Sequence, residues 1–318
     1  MKLTLTQRLR RRRTTRPAQG RAPRARAVAL GAATALLGAI LGAAAPARAA
    51  TDVNVLYAGS LVNLMEQAIG PAFDQASGDR FRGFAGGSKL LANEIAARLR
   101  RADVFISAAP SINARLMGRH EGRWIGAYLT FARSPLVIGY NPQSRFAPLW
   151  RSRPWYQVLQ QPGLRLGRTD PKLDPKGALT VRLLRRAAVR YHLPGLAHRV
   201  LGGAENPAQV LPEETLLGRL QSGQLDAGFF YSTETAAAGI PAVRLPPKLT
   251  PEALYTVALV RDAPHRRAGV AFIKFLLGPV GRKLMRAHGL RVFAPVASGD
   301  ERTLPGPLRR LLHDGAHR

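Results

Sequence analysis

Residues 53–109 read VNVLYAGSLVNLMEQAIGPAFDQASGDRFRGFAGGSKLLANEIAARLRRADVFISAA, and they contain the clearest structural pattern in this chain of 318 amino acids. Twice in this segment an apolar strand ends in small residues, and a helical run then starts at a serine, first Ser60 and then Ser88. A serine at that position can cap the first helical turn with its hydroxyl group. Gly59 and Gly87 would let a ligand approach backbone N–H groups at the positive end of each helix. Two such helix ends that converge would form a site for an oxyanion.

The first 49 residues have the order of a secretory signal. Residues 1–51 contain eleven Lys or Arg residues and no acidic residue, and residues 27–45 form an uncharged, alanine-rich run. Ala47 and Ala49 then supply small residues at the two positions that a signal peptidase reads. We therefore predict cleavage after Ala49 and a periplasmic location, with general secretion as the default route and twin-arginine export as the other route. An uncleaved membrane anchor is the alternative, because the run is nearly long enough to cross a bilayer.

The composition excludes several classes of protein. Cysteine is absent, which rules out disulfides, thiolate metal sites, cysteine nucleophiles and a lipid-modified cysteine. Without residues 1–49 the chain keeps 269 residues, enough for two lobes or one large α/β domain. These residues include 37 basic and 19 acidic side chains, a formal charge of +18. Such a charge attracts anions in general, including nucleic acids and anionic lipids, so that basicity does not identify the partner.

After residue 53, strand-like runs alternate with helical runs, a pattern typical of a mostly parallel sheet covered by helices. Further strands are predicted at residues 103–107, 136–140, 164–167, 227–231 and 255–260. Further helices are predicted at residues 155–161, 178–191, 213–221, 268–277 and 281–288. In an open parallel sheet, the turns after neighbouring strands lie at the same edge, where ligands bind.

Signatures of enzymes are not found. The segment from Gly83 to Lys89 resembles a phosphate loop only faintly, because the serine precedes the lysine. The chain has no nucleophile elbow and no paired-histidine zinc motif, and its seven histidines are scattered. We therefore predict neither an enzyme nor a resident cofactor. Taken alone, Asp174 before Pro175 is an ordinary turn former, and Tyr231 is an ordinary core tyrosine.

Six segments in sequence order resemble the periplasmic molybdate- and tungstate-binding proteins of ABC transporters. They are LYAGSL at 56–61, AGGS at 85–88, ADVFISA at 102–108, GRTDP at 167–171 with DPKG at 174–177, GFFYST at 228–233, and FIKFLLG at 272–278. This resemblance covers essentially the whole mature chain. It implies an α/β periplasmic binding protein of type II, with two lobes of mixed, mostly parallel sheets flanked by helices and a ligand cleft between the lobes. The expected boundaries are 1–49 for the signal, 50–135 and 248–305 for lobe I, 136–247 for lobe II, and 306–318 for a C-terminal tail.

The resemblance also implies which residues bind the ligand. Ser60 and Ser88 match the two anion-binding serines of the first lobe. The donors of the second lobe match the backbone around Lys176, the hydroxyl group of Tyr231, and either the Glu213-Glu214 turn or the start of the helix after Thr215. A dianion held by neutral hydroxyl and N–H groups forms strong charge-assisted hydrogen bonds without a buried counter-ion.

Three further residues belong to this expected site. Gly59 and Gly87 are expected beside the ligand. The archaeal branch of the family adds two carboxylates that approach the metal atom of the oxyanion, and Asp174 matches one of them. Phe230 stands where that branch has glutamate, so the sequence favours tetrahedral hydrogen bonding over six-coordination.

The expected function is capture of molybdate or tungstate by a monomer that passes it to a membrane permease and binds no nucleic acid. The same fold could instead bind phosphate, sulfate or another small anion, and an inward Asp174 would accept the proton of phosphate. A regulatory domain that senses a ligand is less favoured, because the basic N-terminal segment lacks a helix-turn-helix pattern. An exported hydrolase would use Ser60 or Ser88 as nucleophile, but no histidine stands in a recognisable motif.

Overall fold

A computed structural model describes residues 49–203 and 205–314. The predicted signal sequence lies outside the described residues, apart from its last position. Among the helices of the described residues, none is both long enough and apolar enough to span a bilayer.

The described chain alternates strands with helices. The strands are β1 Asp52–Ala58, β2 Arg80–Gly86, β3 Val104–Ser107, β4 Ala127–Tyr140, β5 Leu166–Gly167, β6 Ala227–Tyr231, β7 Ala242–Arg244, β8 Glu252–Leu259 and β9 Arg291–Gly299. The helices are α1 Val62–Leu64, α2 Gly70–Ser77, α3 Ser88–Ala96, α4 Pro110–Met117, α5 Leu149–Ser152, α6 Trp155–Val158, α7 Pro175–Arg190, α8 Leu196–Leu201, α9 Glu213–Gln221, α10 Ser232–Ala237, α11 Arg266–Leu277, α12 Pro279–Ala287 and α13 Gly306–Asp314. Short 3-10 or π turns lie at Gly59–Leu61, Met65–Ile69, Arg119–Glu121 and Glu301–Thr303.

Strands β1 and β2 are parallel and end together. Ala58 pairs with Gly86 at the last position of their register. Strand β3 pairs with the other side of β1, also in parallel. Apolar side chains of β1, such as Val53 and Val55, are fully buried, which fixes the register by the hydrophobic pattern. The Ser60 and Ser88 turns therefore lie side by side at one edge of the sheet.

Strand β4 is shared by two groups of strands. Its residues 127–135 pair with β8 and β9, and its residues 136–140 pair with β6 and β7. We call the part built on β1, β2, β3, β8, β9 and the start of β4 the first lobe. The part built on β5, β6, β7 and the end of β4 is the second lobe. A ligand cleft between the lobes therefore lies beside the point where β4 passes from one to the other.

Aromatic side chains pack between the sheet of the first lobe and the helices that cover it. The ring of Phe73 in α2 lies 5.1 Å from that of Phe272 in α11, edge to face. Phe81 of β2 stacks on Phe272 at 5.7 Å. These contacts bury large apolar surfaces, which are the main favourable term in packing helices onto a sheet.

The predicted fold class is confirmed, with differences in detail. The pairings β1–β2, β1–β3 and β5–β6 are parallel, whereas every named pairing of β4 or β8 within the described residues is antiparallel. Parallel pairing is thus less extensive than predicted, because β4 and β8 run antiparallel to the strands with which they pair. Strand β9 and the first half of β4 were absent from the prediction. The expected tail contains α13, and its Leu308 is buried in the main core.

Candidate functional site

The turns after β1 and β2 present Ser60 and Ser88 without using them as helix caps. The capping positions are Ala58 and Gly87, and neither cap has a side-chain hydrogen bond. The suggested capping role of the serines is therefore wrong, because each serine lies inside the first helical turn. The hydroxyl oxygen of Ser60 lies 3.1 Å from that of Tyr255. Ser88 is buried, and its hydroxyl oxygen accepts a hydrogen bond from the Ala108 N–H at 3.1 Å.

Each of these turns faces a carboxylate of the second lobe. A Cβ atom placed on Gly59 would lie 3.0 Å from Oε2 of Glu213. A Cβ atom on Gly87 would lie 3.3 Å from the Cβ of Asp174 and 2.9 Å from the carbonyl oxygen of Leu173. Glycine at position 87 therefore permits the close approach of the Leu173 backbone, whereas a side chain at position 59 would require the Glu213 side chain to shift.

The carbonyl group of Leu173 joins the lobes directly. It accepts hydrogen bonds from the backbone N–H groups of Lys89 and Leu90, both at 3.1 Å. These N–H groups belong to the first turn of α3, where no helical carbonyl is available to them. The positive end of this helix is thus partly occupied by a carbonyl oxygen of the second lobe.

Asp174 caps helix α7 and keeps one oxygen free. Its Oδ1 accepts hydrogen bonds from the Lys176 N–H and the Thr169 hydroxyl, each at 2.8 Å. Its Oδ2 is buried and has no hydrogen-bond partner in the structure. The turn role predicted for Asp174 and a ligand-facing role are therefore compatible. The Lys176 N–H, which the resemblance assigned as a donor, is bound to Asp174 instead.

Glu213 and Tyr231 bring further unpaired polar atoms to the same place. Glu213 is the first residue of α9, and its buried carboxyl group lies beside Asp174 and Lys176 with no hydrogen-bond donor aligned on either oxygen among the described residues. The hydroxyl group of Tyr231 at the end of β6 is also buried and unpaired. Unpaired buried polar atoms are rare and costly, so a cluster of them marks a place that a ligand can complete.

The side chain of Lys176 is fully buried among carboxylates. Its Nζ lies 2.8 Å from Oε1 and 3.0 Å from Oε2 of Glu234, and 3.3 Å from Oε1 of Glu213. Glu234 also accepts a hydrogen bond from the Tyr231 N–H at 2.7 Å. Lys176 therefore links α7 to the first turns of α9 and α10.

The burial of these groups shifts their protonation. Burial raises the pKa of Glu213 well above its ordinary value, and the neighbouring Asp174 raises it further, although Lys176 opposes the shift. Burial raises the pKa of the Tyr231 hydroxyl, and the charge of Asp174 adds to the effect. Burial disfavours the charged form of Lys176, but Glu234 and Glu213 more than offset it and raise the pKa of Lys176. The ammonium group and the phenol hydroxyl thus keep their protons at neutral pH.

The structure brings all eight predicted residues to the facing edges of the two lobes. Phe230, which replaces a glutamate of the archaeal branch, is buried in an apolar cluster with Val137 and Leu216. Two residues of the site were not predicted, Tyr255 and Glu234. Glu234 stands three residues after Tyr231, the spacing of a capping box, and this spacing could have indicated it. Tyr255 had no local signal, since its partner Ser60 is 195 residues away in sequence.

Comparisons with known proteins show what this chain is similar to. The sequence pattern of the bacterial extracellular solute-binding proteins matches residues 53–291. An uncharacterized solute-binding protein of Petrotoga mobilis is 27% identical over 84% of this chain and 91% of its own length. The molybdate/tungstate-binding protein WtpA of Thermococcus kodakarensis is 24% identical over 70% of this chain and 75% of its own length.

Solved structures share the fold. The periplasmic molybdate-binding protein of Azotobacter vinelandii superposes with a TM-score of 0.57 at 18% identity, over 75% of this chain and 98% of its own. The sulfate-binding protein SubI of Mycobacterium tuberculosis gives a TM-score of 0.58 at 18% identity, over 76% of this chain and 87% of its own. These two neighbours establish the two-lobed architecture and leave the ligand open.

Proposed function

This chain belongs to the bacterial extracellular solute-binding proteins, and from this membership we propose that it captures molybdate or tungstate and delivers the anion to an ABC permease. Relatives named for molybdate and tungstate support this choice of ligand. On this proposal the protein is a monomeric carrier without catalytic activity. The oxyanion is its cargo and not a cofactor.

The observation that carries the proposal is the set of buried hydroxyl groups at the facing edges of the two lobes. The hydroxyl groups of Ser60, Ser88 and Tyr231 can each donate a hydrogen bond to an oxyanion oxygen. These donors come from both lobes, so that a bound anion stabilises the closed arrangement. We also propose that residues 50–135 and 248–305 form the first lobe and that residues 136–247 form the second.

The carboxylates of Asp174 and Glu213 favour a metal-centred oxyanion. A bare carboxylate beside sulfate is repulsive, whereas molybdenum and tungsten can accept further oxygen ligands. The structure has Glu213 as a second carboxylate next to Asp174, although Phe230 removes the one expected from the archaeal branch. We therefore propose that both carboxylates face the metal atom, in place of purely tetrahedral hydrogen bonding.

Calorimetric titration of ligand-free protein with molybdate, tungstate, sulfate and phosphate tests the proposal. We expect one-to-one binding of molybdate and tungstate, and much weaker binding of the other two anions. Glu213→Gln should lower the affinity for molybdate more than the affinity for sulfate. The matched control is Glu214→Gln, because Glu214 is the exposed neighbour of Glu213. Tight binding of sulfate or phosphate without molybdate binding would contradict the proposed ligand.

A further inference from the structure

The side chain of Lys176 is the one buried ammonium group that the described residues place against this site. Burying a charge is costly unless the charge is paired. Lys176 has two carboxylate partners, Glu234 at 2.8 Å and Glu213 at 3.3 Å. Glu213 is also the carboxylate that faces the Gly59 turn. The ammonium group is therefore one side chain away from the place proposed for the anion.

Carboxyl groups outnumber ammonium groups around Lys176, and burial favours the neutral form of one of them, Glu213. Glu213 from α9, Glu234 from α10 and Asp174 at the start of α7 all act on it. The aromatic rings of Tyr231 and Phe230 also lie beside it, with ring centres 5.4 Å and 5.7 Å from Nζ. Three buried carboxyl groups thus face a single cation. A dianion that enters beside them meets a negative field unless this cation is present.

We propose that Lys176 is the charge-balancing residue of the oxyanion site: its ammonium group offsets the carboxylate of Glu234, contacts the carboxyl group of Glu213, and thereby permits a dianion to bind beside them. This inference rests on the proposed function. Lys176 acts through Glu213 and is a positioning residue, because its Nζ is already held by two carboxylates. The neutral hydroxyl groups of Ser60 and Tyr231 would still make the contacts with the anion.

A purely structural role for Lys176 gives a different prediction. In that case Lys176 would only hold Glu234 in place for its hydrogen bond from the Tyr231 N–H. Loss of the charge on Glu234 would then loosen α10 and lower the affinity for the anion. If Lys176 balances charge, the same loss means that Glu234 no longer neutralises the ammonium group. More of its positive charge then acts on the anion, and the anion binds equally tightly or more tightly. The sign of the effect of Glu234→Gln separates the two roles.

The test is calorimetric titration with molybdate of the wild type, Lys176→Met, Glu234→Gln, and the double variant. Lys176→Met should weaken binding on the order of 100-fold, as expected when one partner of a buried charge pair is removed. Glu234→Gln should bind as tightly as the wild type or more tightly, since the amide oxygen still accepts from Tyr231. The double variant loses one positive and one negative charge and so has the net charge of the wild type. Its affinity for molybdate should return to within roughly tenfold of the wild-type value. Lys248→Met removes an exposed lysine and is the control for the general positive field.

The outcomes are distinguishable. Lys176→Met binding like the wild type, or Glu234→Gln binding more weakly than the wild type, would overturn the inference and leave the proposed function intact. A wild type that binds neither molybdate nor tungstate would overturn both. Circular dichroism and thermal unfolding monitor the fold, and if Lys176→Met does not fold, the direction of the Glu234→Gln effect decides alone.

Discussion

At the scale of single residues, Ser60 and Ser88 lie where a helix cap would be expected and yet do not cap. Ser60 shares a hydrogen bond with Tyr255, and Ser88 only accepts one from Ala108. Among residues 49–203 and 205–314, no group accepts the hydroxyl hydrogen of Ser88, so that this hydrogen can be donated to a ligand. These serines have little to contribute to helix stability.

Replacing Ser60 or Ser88 with alanine should each remove one charge-assisted hydrogen bond to the oxyanion. The loss should be about 1.5 to 3 kcal/mol, or roughly ten- to a hundredfold in affinity. Titration with molybdate measures this change. The free energy of unfolding without ligand is measured as the control, because each variant also removes a hydrogen bond to a buried group, the Tyr255 hydroxyl or the Ala108 N–H, at a cost of about 1 to 3 kcal/mol. Unchanged affinity in both variants would remove the serines from the site.

The sequence allowed part of this site to be predicted, for a clear physical reason. Ser60, Ser88 and their glycines follow two strands with a parallel pattern, and parallel strands end at one edge. The charges of the second lobe were harder to foresee. The pairing of Lys176 with Glu234 joins residues 58 positions apart, and no local pattern shows which of the lysines is buried. Whether the eight residues bind a ligand stays a prediction.

At the scale of elements, the approach of the two lobes depends on the turn before α3. Gly87 has a φ of −59°, which alanine can adopt, so that the backbone itself tolerates a side chain. A Cβ atom would nevertheless lie 2.9 Å from the Leu173 carbonyl oxygen, a backbone atom that cannot rotate away. The constraint at Gly87 is therefore on closure and not on local folding.

Gly87→Ala should weaken molybdate binding at least roughly tenfold, because a clash with backbone atoms holds the lobes apart. The unfolding temperature without ligand should stay close to that of the wild type. Gly218→Ala is the matched control, since a Cβ atom there meets nothing within 4 Å. It should leave affinity unchanged and slightly stabilise α9. Full affinity in Gly87→Ala would show that this contact is not needed for binding.

Asp226 fixes the starts of β5 and β6. Its carboxylate accepts hydrogen bonds from the Arg165 N–H, the Arg165 guanidinium and the Ser144 hydroxyl, each at 2.8 Å in its shortest contact. Partial burial alone would favour the neutral acid, but the hydrogen bonds from Arg165 lower the pKa of Asp226 to about 2. An unfolded aspartate titrates near pH ~3.9.

The stabilisation from Asp226 should therefore be complete above about pH 4 and disappear as the pH falls through its lowered pKa. Denaturation by urea of the wild type and Asp226→Asn should show a difference in the free energy of unfolding at pH 7 that shrinks toward pH 2. Asp300→Asn, which breaks an exposed pair with Arg302, should show a smaller difference throughout. An equal difference at pH 7 and pH 2 would contradict the assignment.

Secondary structure was predictable where the pattern is local. Strands β1, β3 and β6 are short apolar runs between turn residues, and each was predicted within two residues of its bounds. The first half of β4 and the whole of β9 were missed, since Arg133 and Pro295 interrupt their apolar patterns. Both segments are strands because they pair with each other and with β8, through contacts that no sequence window contains.

At the scale of the whole molecule, the basic, apolar and small residues that follow one another in the first 49 positions predict an exported protein. Mass spectrometry of protein from a periplasmic extract of the native host should show a chain that begins near Ala50. A cytoplasmic form that retains residues 1–26 would favour the regulatory interpretation. A membrane-bound form that retains residues 27–45 would favour the uncleaved anchor.

The hydrogen bonds to the Leu173 carbonyl also concern how such a protein can change its cargo during evolution. Both donors and the acceptor are main-chain groups, so that substitution of the side chains at these positions leaves them in place. Water can replace the carbonyl at α3 when the lobes separate, which keeps the opening step inexpensive. On the proposed function, side chains such as Tyr231 and Glu213 can therefore be exchanged for others without loss of these main-chain hydrogen bonds between the lobes.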